Sequence, residues 1–298
     1  MNRPALSPDV ASGKVVASRS SDAPKGSRSP AVAEAQGVLR DVLAALRNLL
    51  HLLRSPRVGA KALGQVLPGL RDLCGPLSAS ADDMRTHLGA ALSEGGGEDA
   101  VAELSDFVRD ASSRLLGVLD WAAAADMDAK SRLSLEAQID RTAAELGTAR
   151  RLLDLLCRSA ERADTELDVA EVIHASIAAS MRGDQLRADA THVVVAMSDG
   201  AALSASAHVI APLVALGIAL VRREPGDTVG VSAVAPDAGT VSITISRGPL
   251  DGDVHVFQPP LVIPPVLACA KAAARLGGGL FVFSDGTARI TWPFFPSS

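Results

Sequence analysis

The 298-residue sequence contains only three cysteines. Cys74, Cys157 and Cys269 lie far apart with no paired spacing, which excludes a disulfide framework and a thiolate zinc site. A reducing, cytoplasmic location is expected. A membrane-spanning run is also missing. The longest apolar stretch, Ala207 to Val221, is shorter than the roughly 20 residues a membrane helix needs and includes His208 and Pro212. It reads as a buried helix. No continuous apolar segment follows the basic N-terminus, so no secretory signal is expected. The histidines show no metal-ligand spacing, and no Gly-x-Ser-x-Gly elbow occurs, so neither a metal centre nor that hydrolase chemistry is indicated. Excess basic charge is absent as well. The net charge is −5, and the first thirty residues hold Arg3, Lys14, Arg19, Lys25 and Arg28 against only Asp9 and Asp22. The body is therefore more acidic than the total, which argues against a nucleic-acid-binding face.

What is present is apolar periodicity. Residues 1 to 30 are rich in Ser, Pro, Ala and Lys/Arg without periodic apolar positions, and a disordered tail is expected there. From 31 to 94 the pattern is helical. Leu39, Leu43, Leu46, Leu50 and Leu53 form one face, and Pro56 breaks the helix. A second helix carries Leu63, Leu67, Leu70 and Leu73 and is expected to stop at Gly75-Pro76, with a third over Ala81 to Leu92.

Between 98 and 165 two heptad seams follow. The first runs through Val101, Leu104, Val108, Ala111, Leu115, Val118 and Ala122. The second runs through Leu135, Ile139, Thr142, Leu146, Ala149, Leu153 and Leu156. Two such helices form an antiparallel hairpin whose stripe is buried against the 31–92 helices or a second copy; pairing with a second copy, giving a homodimeric four-helix bundle, is the expectation.

From 166 to 298 the pattern is mixed: helix (168–181), strand (192–197), helix (205–223), strands (228–234 and 240–246), helix (264–276), and strands (279–284 and 287–292). Pro236-Asp237-Ala238-Gly239 and Asp285-Gly286 supply hairpin turns. The fold class is α+β: N-terminal helices, a dimerising hairpin, then a two-layer α/β sandwich.

That order after a helical hairpin resembles the catalytic half of bacterial sensor histidine kinases, the Bergerat-type ATPase fold. Leu276-Gly277-Gly278-Gly279-Leu280 followed by Ser284-Asp285-Gly286-Thr287 and a strand closing on Trp292-Pro293 is similar to the family's C-terminal ending. Thr240 to Pro249 looks like the strand entering its Asp-x-Gly-x-Gly box, and Pro225 to Val229 resembles the turn after its Asn-bearing helix. The resemblance implies an ATP site, yet the residues that would form it are replaced. Val214 and Ile218 stand where the family's Asn residues present oxygens toward phosphate and Mg²⁺. Ser246 takes the place of the adenine-reading Asp, and Leu250 that of a box glycine. Ile263 and Pro265 replace a Gly-x-Gly, and proline also removes an N–H donor. No Asn occurs after Asn48, so no shift of alignment restores that helix.

The implied protein is thus a non-catalytic signalling adaptor, not an enzyme, with no cofactor, no nucleic-acid partner and no membrane partner. Its partners would be a response-regulator receiver domain or a histidine kinase. The family's phosphoacceptor His-acid pair aligns with Arg109-Asp110, and arginine is no nucleophile at neutral pH. With Arg114 these residues are expected to contact an acidic partner pocket; the plainer reading is solvated arginines on a helix surface. His51, in His-Leu-Leu-Arg-Ser-Pro, resembles the family's His-x-x-Arg-x-Pro box but lacks the acidic neighbour. It is the carrier in the alternative reading, a histidine phosphotransferase, and otherwise an ordinary helix-flanking histidine. A structural scaffold is the third reading.

Overall fold

The computed structural model describes residues 30–55, 60–93, 97–124, 128–160, 165–184, 192–197, 202–205, 207–221, 228–234, 240–247 and 264–293. The expected tail and the turns at 225–227 and 236–239 lie outside them. Helix α1 (Pro30–Arg54) buries the predicted face, Leu39 through Leu53, and adds Val32, Ala35, Val42 and Leu49. Helix α2 (Ala60–Asp83) continues through Pro68 and Gly75-Pro76, contrary to the expected stop. Both prolines are exposed, so water can serve the carbonyls whose helical donors they remove. The opposite face packs Leu63, Leu67, Leu70, Cys74 and Leu77 inward, with Leu73 only half-buried. Burial of a Leu side chain contributes ~1.5–3 kcal/mol, enough in series to override a local stop signal. The expected separate helix over 81–92 is the continuation of α2: a π-helical turn (Met84–Leu88) and α3 (Gly89–Leu92).

Helices α4 (Glu98–Ala124) and α5 (Ala129–Ala160) form the predicted hairpin. Asp128 caps α5 by accepting from the Ser131 N–H at 2.7 Å, which holds its carboxyl below the usual range. The α5 seam is buried at every predicted position; the α4 seam is buried except at Val118, where Leu119 turns inward instead.

Packing joins α1 to α2, α2 to α4, α4 to α5 and α5 back to α1, so one chain closes a four-helix ring. Leu115 and Leu146 are fully buried in it. The stripe of the 98–162 hairpin, expected to pair with a second copy, is covered here by α1 and α2 of the same chain. Cross-links include Gln36 donating to Asp154 at 2.8 Å, Ser112 donating to the Cys74 carbonyl at 2.9 Å, and Arg71 paired with Asp120 at 3.2 Å. The Arg132 guanidinium donates to the carbonyls of Leu52, Leu53 and Ser55 at 2.6–2.9 Å, capping the last turn of α1 from α5.

The C-terminal part holds α6 (Val169–Asp184), α7 (Ala207–Val221) and α8 (Pro264–Leu276) with two sheets. Strands β1 (Thr165–Asp168) and β3 (Ala202–Ala205), not foreseen in the sequence, pair antiparallel. The larger sheet has the order β2-β4-β5-β7-β6, formed by β2 (His192–Met197), β4 (Thr228–Val234), β5 (Thr240–Arg247), β6 (Leu280–Ser284) and β7 (Thr287–Pro293). Among the described strands of this sheet only β2 and β4 run parallel. The predicted turn at Asp285-Gly286 has φ values of 51° and 72°, the left-handed pair that a tight hairpin requires.

Helix α7 packs on β5 and β7 and α8 on β6. A Cβ added at Gly217 of α7 would lie 2.5 Å from the Ile245 Cδ1, so a side chain there would have to displace the tip of Ile245 at this crossing. Helix α8 also packs on α4 and α5, and α7 on α5, so the buried side chains from Val32 to Trp292 form one continuous core. The small residues Ala270, Ala272, Ala273 and Ala274 are all buried and let α8 fit between bundle and sheet.

Candidate functional site

Two regions contain the residues singled out in the sequence. The first is the junction of α7, β5 and α8, where the resemblance places a nucleotide. Val214 and Ile218 project from α7 into the core and are buried, as is Pro265 in the first turn of α8. Aliphatic groups in a packed interior offer no oxygen to a cation and no donor to a phosphate. Ser246 lies on β5 opposite Gly230 of β4, on the face away from α7. Leu250 and Ile263 lie outside the described residues. The Cys269 Sγ, facing the Ala100 carbonyl at 3.7 Å, is fully buried, and that burial pushes its thiol up to about 12. It is therefore a packing group, not a nucleophile.

The second region is the outer surface of the α4–α5 hairpin. Arg109, expected to join Arg114 in one docking patch, points toward α2 instead. It pairs with Asp82 and, at 2.9 Å, with Asp106, which also receives Arg85 at 3.3 Å. The Asp82 hydrogen bond raises the guanidinium pKa further. Asp110 is exposed beside it. Arg114 turns the other way, to Glu145 of α5 at 2.7 Å, and Arg141 meets the same carboxylate at 3.2 Å. The expected patch is thus divided between two faces of α4, because a five-residue step carries a side chain well past one helical turn.

Arg114 and Arg141 border a groove of about 580 Å³ between the two helices, lined also by Gly117, Val118, Trp121 and Gln138. Trp121 is 39% exposed, and Leu116 and Leu133 are exposed on the neighbouring helix surfaces. Gly117 lowers the wall; Val118, displaced from the seam by Leu119, becomes lining. The heptad count missed this because it assigned Val118 to the interior. Two arginines share one carboxylate, so the groove pairs apolar lining with an excess of positive charge.

His51 is exposed on the last turn of α1. Its neighbour Arg54 pairs with Glu136 at 2.8 Å and Asp140 at 3.1 Å, placing this end of the bundle at the start of α5. Helix α8 sits at the other end, against Ala100. Among the described residues no group of His, Cys, Asp and Glu has the arrangement of a metal site, and no helix is long and apolar enough to cross a membrane.

No family model matches the sequence, and no curated protein matches it. Solved structures do. The Acinetobacter baumannii histidine kinase AdeS aligns with a TM-score of 0.41 and 15% identity, covering 63% of this chain and 94% of that one. A histidine kinase from Burkholderia phymatum STM815 aligns with a TM-score of 0.33 and 20% identity, over 70% of this chain and 97% of its own. The mycobacterial sensor histidine kinase MprB gives 0.33 and 18%, over 45% of this chain and all of its own.

Proposed function

We propose that the protein is a non-catalytic, histidine-kinase-like adaptor of two-component signalling, which docks a response regulator or an authentic kinase and does not use ATP. The observation that carries the reading is the apolar filling of the nucleotide region: Val214, Ile218 and Pro265 are core residues, in a domain whose strand order and helix-on-sheet layering suit a Bergerat-type fold. Losing one ligand weakens a site; losing metal, phosphate and adenine contacts together leaves nothing for nucleotide to bind. Titration calorimetry with ATP and Mg²⁺ at millimolar nucleotide is expected to give no saturable heat. Micromolar binding would restore the active-kinase reading.

The docking surface in this reading is the α4–α5 groove, with Arg114 and Trp121 as its recognition residues and Asp110 and Arg109 outside it. Half-buried aromatics and arginines are the residue types that anchor interfaces. Both are surface positions, so Arg114→Glu and Trp121→Ala are expected to leave the fold intact. Each is expected to reduce recovery of two-component proteins from lysate at least tenfold, whereas Arg109→Glu changes recovery little. Equal recovery by all variants would eliminate the groove and leave a structural scaffold. Transfer of label from a phosphorylated receiver domain to His51 would instead establish the phosphotransferase alternative.

A further inference from the structure

The two halves of the four-helix bundle repeat one another. A single shift along the chain superimposes Ala31-Val32-Ala33-Glu34 on Ala100-Val101-Ala102-Glu103 and, in the same register, Arg40-Asp41 on Arg109-Asp110, Leu46 on Leu115 and Leu50 on Leu119. The buried positions follow the same shift: Val32, Leu39 and Leu53 fall on Val101, Val108 and Ala122. The second helix of each hairpin matches as well, under a shift three residues longer. Leu63, Leu67 and Leu70 fall on Leu135, Ile139 and Thr142, and Cys74, Leu77 and Ala81 on Leu146, Ala149 and Leu153. Packing alone demands the apolar matches. It does not demand Glu34, Arg40 and Asp41, which are exposed and still recur.

Contacts between the hairpins obey the same relation helix by helix, although the side chains that meet are not themselves counterparts. Asp82 of α2 reaches across to α4, and Asp154, its counterpart on α5, reaches across to Gln36 of α1. The contact α2–α4 thus mirrors α5–α1, as in a bundle with a two-fold axis along its length.

We infer that residues 30–92 are a second copy of the 98–160 hairpin, fused in cis, and that this copy takes the place a second chain would fill. A single chain then has a complete bundle with one C-terminal domain, where a symmetric pair of chains would have two. The halves have diverged on their outer surfaces. Leu49 and Leu52 correspond to Val118 and Trp121 of the groove, and Val66 to Gln138; Leu49 is fully buried and the other two pack against the core, so the first hairpin's outer seam is closed by aliphatic side chains. Among the described residues the open seam belongs to the second hairpin.

The test is a thiol cross-link in the full chain, independent of any partner or nucleotide. Arg71→Cys with Asp120→Cys joins α2 to α4 at an exposed ion pair, and Gln36→Cys with Asp154→Cys joins α1 to α5. The native cysteines are buried. With a short bis-maleimide, both pairs are expected to link within one chain, giving product of single-chain mass whose yield is constant across a wide dilution series. Product of doubled mass whose yield rises with concentration overturns the inference, because the hairpin then completes the bundle of another chain. So does failure of both pairs to link in protein that retains its helical circular dichroism.

Discussion

Leu115→Asp is expected to lower the urea midpoint of the whole molecule steeply, and by the same amount at every protein concentration. Leu115 is fully buried among four helices of one chain, and so is Leu146. Losing the leucine costs about 2–5 kcal/mol, by comparison with core Leu→Ala changes. An unpaired carboxylate in an apolar seam adds a desolvation penalty of several kcal/mol more, or protonates to avoid it. Against a typical total stability of roughly 5–15 kcal/mol, most molecules would lose the bundle. Leu146→Asp should behave alike, and so should Leu46→Asp, since Leu46 occupies the position in α1 that Leu115 occupies in α4 and is equally buried.

Concentration distinguishes the origin of the effect. In a bundle made by one chain the midpoint is independent of protein concentration, whereas in a bundle made by two it rises as mass action favours the dimer. Urea curves for the unmodified protein and for Leu115→Asp, each at a low and a high concentration, settle the matter. A midpoint that climbs with concentration would assign the seam to a dimer after all.

The sequence carried this bundle in a readable form because heptad periodicity is a local record of burial. Val101 through Ala122 and Leu135 through Leu156 point inward with Val118 the exception, and α1 ends at Arg54. Failures came where a local signal met a nonlocal cause. Gly75-Pro76 is a stop signal in isolation, yet both residues are exposed while Cys74 and Leu77 are held by the other helices. The four-residue strands β1 and β3 are too short to show alternation, and their pairing joins positions nearly forty residues apart. The partner of Arg109 is Asp82, on another helix, which no pattern within α4 could disclose. At the nucleotide region the replaced residues were legible one by one; what the structure adds is that Val214, Ile218 and Pro265 are packed, not merely apolar.

Trp292→Ala is the second change expected to have a large effect, because the turn that links α8 to β6 is built against that ring. The C-terminus of α8 is closed by Gly277, Gly278 and Gly279, whose N–H groups donate back to the carbonyls of Ala273, Arg275 and Ala274 at 2.7–3.0 Å. Gly278 has φ 87°, the left-handed value at which a helix commonly ends. The glycines on either side have a different reason. A Cβ at Gly277 would lie 2.9 Å from the Trp292 Cζ2, and one at Gly279 would lie 2.6 Å from two other ring carbons and 2.9 Å from the Thr291 carbonyl oxygen. The indole lies against bare backbone, is buried, and donates from Nε1 to the Gly277 carbonyl at 3.1 Å. Removing it should cost ~3–5 kcal/mol, and Trp292→Phe, which keeps most of the bulk but loses the hydrogen bond, a smaller amount. Gly279→Ala should cost about 1–3 kcal/mol by overpacking, since neither a rigid ring nor a backbone carbonyl can yield. Combining Gly279→Ala with Trp292→Ala discriminates between these obstacles in a double-mutant cycle read by urea unfolding. If the ring is the barrier, the methyl group enters the space it vacated and the two costs sum to less than their separate values. If Gly279→Ala costs the same with and without the ring, the Thr291 carbonyl is the obstacle, and the three glycines are fixed by the backbone path from α8 into the sheet.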